Sequence, residues 1–100
     1  MMFVGISRID IYLPENHSLK DKRQATRRIV EKTRSKFSIS IAEVERTNLW
    51  QRATVGFSVV GATADQVQKI IETVQEFIES LYIGKIIDTK TEVVVVGDEV

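Results

Sequence analysis

The chain has no cysteine, so it can form no disulfide, no thiolate metal site and no cysteine nucleophile. A single histidine, without cysteine, argues against a transition-metal centre. Long apolar runs are also missing. The longest, Val93 to Val96 and Met1 to Val4, fall far short of the ~20 residues that span a bilayer. Arg8 and Asp10 break up the opening residues, which speaks against a signal peptide. There are no repeats, low-complexity tracts or linkers, and the formal net charge is zero. What remains is 43% hydrophobic and 28% charged, the composition of an ordinary soluble globular protein. One hundred residues suit one domain, residues 1–100, with a single core of two packed layers. The expectation is a soluble protein of the reducing cytoplasm with no membrane contact.

The zero net charge conceals a segregation. Lys20, Lys22, Arg23, Arg27, Arg28, Lys32, Arg34 and Lys36 are eight of the fourteen basic residues, and only Asp21 and Glu31 oppose them in that segment. The segment therefore carries +6 and the remainder of the chain −6. A partner with a phosphate backbone would be drawn to one element of an otherwise acidic body.

Hydrophobic periodicity places that segment in the fold. Phe3 to Leu13 alternates Ile9, Ile11 and Leu13 with Arg8, Asp10 and Tyr12, which predicts a strand buried on one face. Ser18, with Asp21 three residues on, reads as the cap of a helix over about Leu19 to Phe37. Its apolar face comprises Leu19, Thr26, Ile29, Val30, Thr33 and Phe37. Lys20, Arg23, Arg27 and Arg34 run along one flank of that face, and Arg28, Lys32 and Lys36 along the other. Ser38 to Val44 and Trp50 to Val60 read as two strands. In the first, Ile39 and Ile41 compete with Ala42 and Val44 for the inward position, and a bulge near Ala42 reconciles them. Thr63 and Gln66 form a capping box before a helix carrying Val67, Ile70, Ile71, Val74, Phe77, Ile78 and Leu81. A last strand lies within Ile83 to Val96. The order βαββαβ predicts an α+β ferredoxin-like sandwich, a four-stranded antiparallel sheet with two helices on one face. That fold alone does not decide function.

The residues that could carry chemistry point to binding. No nucleophile–base pair or paired carboxylates can be assigned, so no catalytic residue, metal or cofactor is expected. An acylphosphatase-like activity would need an arginine in a glycine-rich loop after the first strand, and Pro14-Glu15-Asn16-His17-Ser18 has neither. The basic stripe could be only a solvated face. However, the second helix mixes Lys69 among Glu72, Glu76 and Glu79, whereas the first repeats like charges at spacings of three and four, which costs stability. Lys20, Arg23, Arg27, Arg34, Arg28 and Lys32 are thus the candidate nucleic-acid-binding residues. Four phosphate contacts on single-stranded RNA would give a log–log salt slope of about −3. His17, Ser18, Lys20 and Arg23 form a candidate anion site at the helix start, although His17 could equally close the turn. Tyr12, Trp50 and Arg52 are candidate interface residues on or beside the open sheet face, with Trp50 alternatively capping the end of the core. Gly56-Phe57-Ser58-Val59 faintly echoes an RNA-recognition strand, but Phe57 shares parity with the core residues Val55 and Val59.

Two stretches resemble the YlxP-like proteins, a family of small bacterial proteins of unknown function. They are Leu13-Pro14-Glu15-Asn16-His17-Ser18-Leu19-Lys20-Asp21-Lys22-Arg23, and Ala42-Glu43-Val44 followed by Leu49-Trp50-Gln51-Arg52-Ala53. The resemblance covers about Phe3 to Val93. It implies a ferredoxin-like fold and, because the family's genes often neighbour those of translation and ribosome maturation, an RNA or ribosome partner. It carries over no catalytic residue. Its signature falls at His17, Ser18, Leu19, Lys20, Lys22, Arg23, Glu43, Trp50, Gln51 and Arg52, with Glu43 and Arg52 as a candidate pair across the hairpin. The leading expectation is a non-enzymatic RNA- or ribosome-associated protein using its basic first helix. The alternatives are a homodimer or protein-interaction module using the open sheet face and the valine-rich Val93 to Val100, or a small-anion binder.

Overall fold

The computed structural model describes residues 1–45 and 47–97. Arg46 and Asp98 to Val100, the end of the valine-rich tail, lie outside the described residues. The elements are β1 (Met2–Tyr12), α1 (Leu19–Lys36), β2 (Ser40–Glu45), β3 (Arg52–Gly61), α2 (Ala64–Ser80) and β4 (Lys85–Val96). The strands form one antiparallel sheet in the order β2-β3-β1-β4. Both helices pack on the same face, giving the ferredoxin-like arrangement that the periodicity predicts.

Parity creates the core. Ile9 and Ile11 on β1 and Ala53, Val55, Phe57 and Val59 on β3 turn inward to meet Ile29 and Val30 of α1 and Val67, Ile71, Val74 and Ile78 of α2. Each of the valine, isoleucine and phenylalanine side chains contributes ~1.5–3 kcal/mol on full burial. Thr63 caps α2 as read, and Gln66 returns its bond to the residue before the cap. The Gln66 N–H donates to Thr63 Oγ1 at 3.1 Å and the Ala62 N–H to Gln66 Oε1 at 3.0 Å. At the far ends of the helices Phe37 meets Phe77 edge-on, with ring centroids 5.4 Å apart.

The structure changes two details of the sequence reading. The β2 bulge falls between Glu43 and Glu45, not near Ala42. Ile39, Ile41 and Glu43 keep the inward parity, and Val44 swings to the open face, against Gly56. Glu45 follows Val44 and pairs with Arg8 there. On α1, Leu19 and Phe37 are only half-buried, and Lys22 and Ala25 occupy inward positions. Lys22 is 2% exposed. Its stem lies against the core, while Nζ reaches out to donate to Thr47 O at 2.7 Å and Thr47 Oγ1 at 3.1 Å.

β4 is the outlier. It runs beside β1 for its whole length, yet only Ile86 is even half-buried. A bulge at Ile87 interrupts its start, and from Asp88 onward its register against β1 is regular. A polar relay fastens it to the helix layer. Gln75 Nε2 donates to Ser7 Oγ at 3.2 Å, and Ser7 Oγ lies 3.3 Å from Thr91 Oγ1. The molecule measures 54 × 22 × 20 Å.

Candidate nucleic-acid interface

The two basic flanks of α1 open onto different grooves. The first, about 490 Å³, lies between α1 and the β2–β3 hairpin. Its basic lining is Lys22, Arg23, Arg27 and Arg34, faced by Glu43 and Thr47. The second, about 740 Å³, lies between the ends of α1 and α2, where Arg28, Lys32 and Lys36 meet Glu31, Phe77 and Leu81. Lys36 Nζ stands 5.7 Å from the centre of the Phe77 ring. Lys20 is exposed on the first turn of α1 and lines neither groove.

These cations are not equivalent. Lys22 is committed to Thr47, and Arg34 Nη2 donates to the Ile41 carbonyl at 2.7 Å. Lys20, Arg23, Arg27, Arg28 and Lys32 engage no other side chain by ion pair or hydrogen bond among the described residues. The first groove therefore presents two uncommitted guanidinium groups, Arg23 and Arg27. Being one turn apart, they are separated by about 6 Å along the helix.

At the start of α1, Ser18 Oγ accepts the Asp21 N–H at 3.0 Å, and the His17 N–H donates to Asp21 Oδ2 at 2.9 Å. The Asp21 carboxylate thus occupies the positive end of the helix dipole, and the Ser18 hydroxyl is taken. The His17 side chain is exposed and Arg23 turns into the groove. Of His17, Ser18, Lys20 and Arg23, only Arg23 lines either of the two grooves.

The two stretches that carry the family resemblance meet at one end of the sheet. Asn16, 8% exposed, donates from Nδ2 to Trp50 O at 3.0 Å. Gln51 Nε2 returns bonds to Pro14 O at 3.2 Å and Asn16 O at 3.4 Å, and the Leu13 N–H donates to Gln51 O at 2.8 Å. With Lys22 and Thr47 these bonds clamp the β1–α1 turn to the β2–β3 connection. Trp50 does not cap the core. Its backbone is held while its side chain stays out, leaving the residue 53% exposed. Tyr12 and Arg52 are cross-strand neighbours on the open face. Glu43 is paired with Val55 on the helix face, so it and Arg52 lie on opposite sides of the sheet.

Asn16, Gln51 and the buried role of Lys22 escape a reading by residue class. One signal was present: Lys22, Thr26, Ile29 and Thr33 recur at helical spacing on one stripe.

Residues 4–91 match the model of a family described as "Protein of unknown function (DUF503)". The chain belongs to that family. It is 31% identical over 77 residues to the uncharacterized protein YlxP of Bacillus subtilis (strain 168), covering 77% of this chain and 84% of the relative. Family membership names no reaction or ligand. Solved structures add the fold alone. The de novo designed protein Foldit4 superposes with a TM-score of 0.55 at 12% identity, covering 97% of this chain and all of that one. A de novo design with a ferredoxin fold gives a TM-score of 0.51 at 12% identity, over 99% and 88% of the two chains. A putative chlorite dismutase gives 0.52 at 10% identity, over 93% of this chain and 44% of its own. Among the described residues no helix is long and apolar enough to cross a membrane.

Proposed function

We propose that this protein is a non-enzymatic RNA-binding protein, acting on ribosomal RNA, that grips the phosphate backbone in the groove between α1 and the β2–β3 hairpin. The observation that carries the reading is the pair Arg23 and Arg27, uncommitted and side by side in that groove. Guanidinium groups suit phosphate because their planar fork of donors matches its oxygens. A second feature favours single-stranded RNA. Trp50, exposed on a loop held through its own carbonyl, offers a ring on which a base can stack. Arg28 and Lys32 on the other flank add long-range attraction without entering the groove.

The test is a titration of labelled ribosomal RNA fragments at several salt concentrations. It compares the wild type with the Arg23→Glu, Arg27→Glu double variant. Arg34 is left intact because it holds the Ile41 carbonyl. The double variant is expected to bind at least about tenfold more weakly at low salt, with the salt slope shallower by ~0.7 for each phosphate it no longer neutralises. Trp50→Ala should weaken binding and leave the slope unchanged, since stacking releases no counterions. Equal affinity of the double variant and the wild type would overturn the reading.

A further inference from the structure

The free edge of β4 carries a pattern that fits a second copy of the same strand. The Leu13 N–H donates to Gln51 O, so the odd residues of β1 direct their backbone groups to β3 and the even ones to β4. The register against β1 then turns the N–H and C=O of Thr89, Thr91, Val93 and Val95 outward, away from the sheet. From Asp88 to Val96 this edge is regular, has no proline, and is not covered by a helix. Exposed rows of this kind are templates for another strand.

We propose that β4 pairs antiparallel with β4 of a second copy, about a two-fold axis at Thr91, to make one continuous eight-stranded sheet. Charge favours this occupant, and charge together with regularity favours this register: an axis at Thr89 would also oppose unlike charges, Asp88 and Lys90, but would set the Ile87 bulge opposite Thr91. With the axis at Thr91, Lys90 stands directly opposite the partner's Glu92, and Glu92 opposite the partner's Lys90. Shifting the axis by one residue sets Lys90 against itself or Glu92 against itself, and like charges directly opposite are destabilising. Within the protomer neither residue has an ion-pair partner among the described residues, and the β1 neighbour of Lys90 is another cation, Arg8. Each charge is therefore available to the strand outside. Outward residues meet outward residues in this register: Thr89 faces the partner's Val93 and Thr91 faces the partner's Thr91. About six new backbone hydrogen bonds close the edge.

Sedimentation equilibrium of the full chain at micromolar concentration tests the proposal with a charge-swap cycle. The wild type should be a dimer. Lys90→Glu and Glu92→Lys each replace two attractive cross-strand pairs by two repulsive ones, and each should raise the dimer Kd by roughly tenfold or more. The Lys90→Glu, Glu92→Lys double variant restores opposite charges and should return Kd to near the wild-type value. Circular dichroism confirms that the variants fold; Lys90→Glu even gains Arg8 as a neighbour. A monomeric wild type, single variants that dimerise like the wild type, or a double variant no better than the singles would each overturn the proposal.

Discussion

The sheet has two edges, and the protein treats them differently. β2 is six residues long, is bent by a bulge between Glu43 and Glu45, and has the outward carbonyl of Ile41 covered by Arg34. β4 is twelve residues long; at its start Glu79 Oε1 accepts the Ile86 N–H at 3.3 Å, and from Asp88 on, where the register is regular, the described residues place nothing over its outward backbone groups. Both edges face the same physical problem, a row of donors and acceptors that invites foreign strands. At β2 the basic helix solves it, and the same helix supplies the arginines of the groove. At β4, from Asp88 onward, the devices among the described residues are charges, and those are complementary to their own image. The comparison separates cations tied into the fold, Lys22 and Arg34, from cations left uncommitted among the described residues, Arg23 and Arg27.

Changes at the two edges should have graded effects. The largest is expected where β4 begins. A Cβ on Gly84 would lie 2.5 Å from Ile11 Cγ2 and 2.8 Å from the Tyr12 carbonyl oxygen, and a backbone atom cannot step aside. Gly84→Ala should cost about 3 kcal/mol in urea unfolding by forcing β4 away from β1. Next is the buried clamp on the β2 side. Lys22→Ala removes a packed stem and two charge-assisted bonds to Thr47, for a loss of about 2 kcal/mol; Lys22→Met should recover part of it by keeping the stem. Arg34→Ala exposes the Ile41 carbonyl to water, so about 1 kcal/mol or less is expected, with RNA affinity falling less than in the Arg23, Arg27 variant. Val93→Pro should be the mildest for the protomer, below about 1 kcal/mol, because the N–H it deletes points away from β1 and Val93 takes no part in the Ser7–Thr91 relay. The same change should abolish dimerisation in sedimentation, which sharpens the contrast between the edges.

Much of the fold is legible in the sequence because period-two and period-3.6 patterns coincide with burial along β1, β3 and α2. The βαββαβ order, both helix caps and the split of basic residues into two flanks follow from spacing alone. What was not legible depends on chain segments distant in sequence. Lys22 reads as one more surface cation until Thr47 is placed above it. Asn16 and Gln51 are ordinary loop polars until the two loops meet. Trp50 could serve core or surface equally well, and its exposure is settled by a clamp made through its own carbonyl. The bulge moved to Val44 because Gly56, on the neighbouring strand, leaves room for a side chain that periodicity alone cannot locate.

Amide-resolved hydrogen exchange at low and high protein concentration tests the difference between the edges most directly. The Thr89, Thr91 and Val93 amides should exchange fast in dilute solution and become protected as concentration rises, while the Ile41 amide on β2 stays unchanged. Outward β4 amides that exchange at the same fast rate at both concentrations would contradict the account.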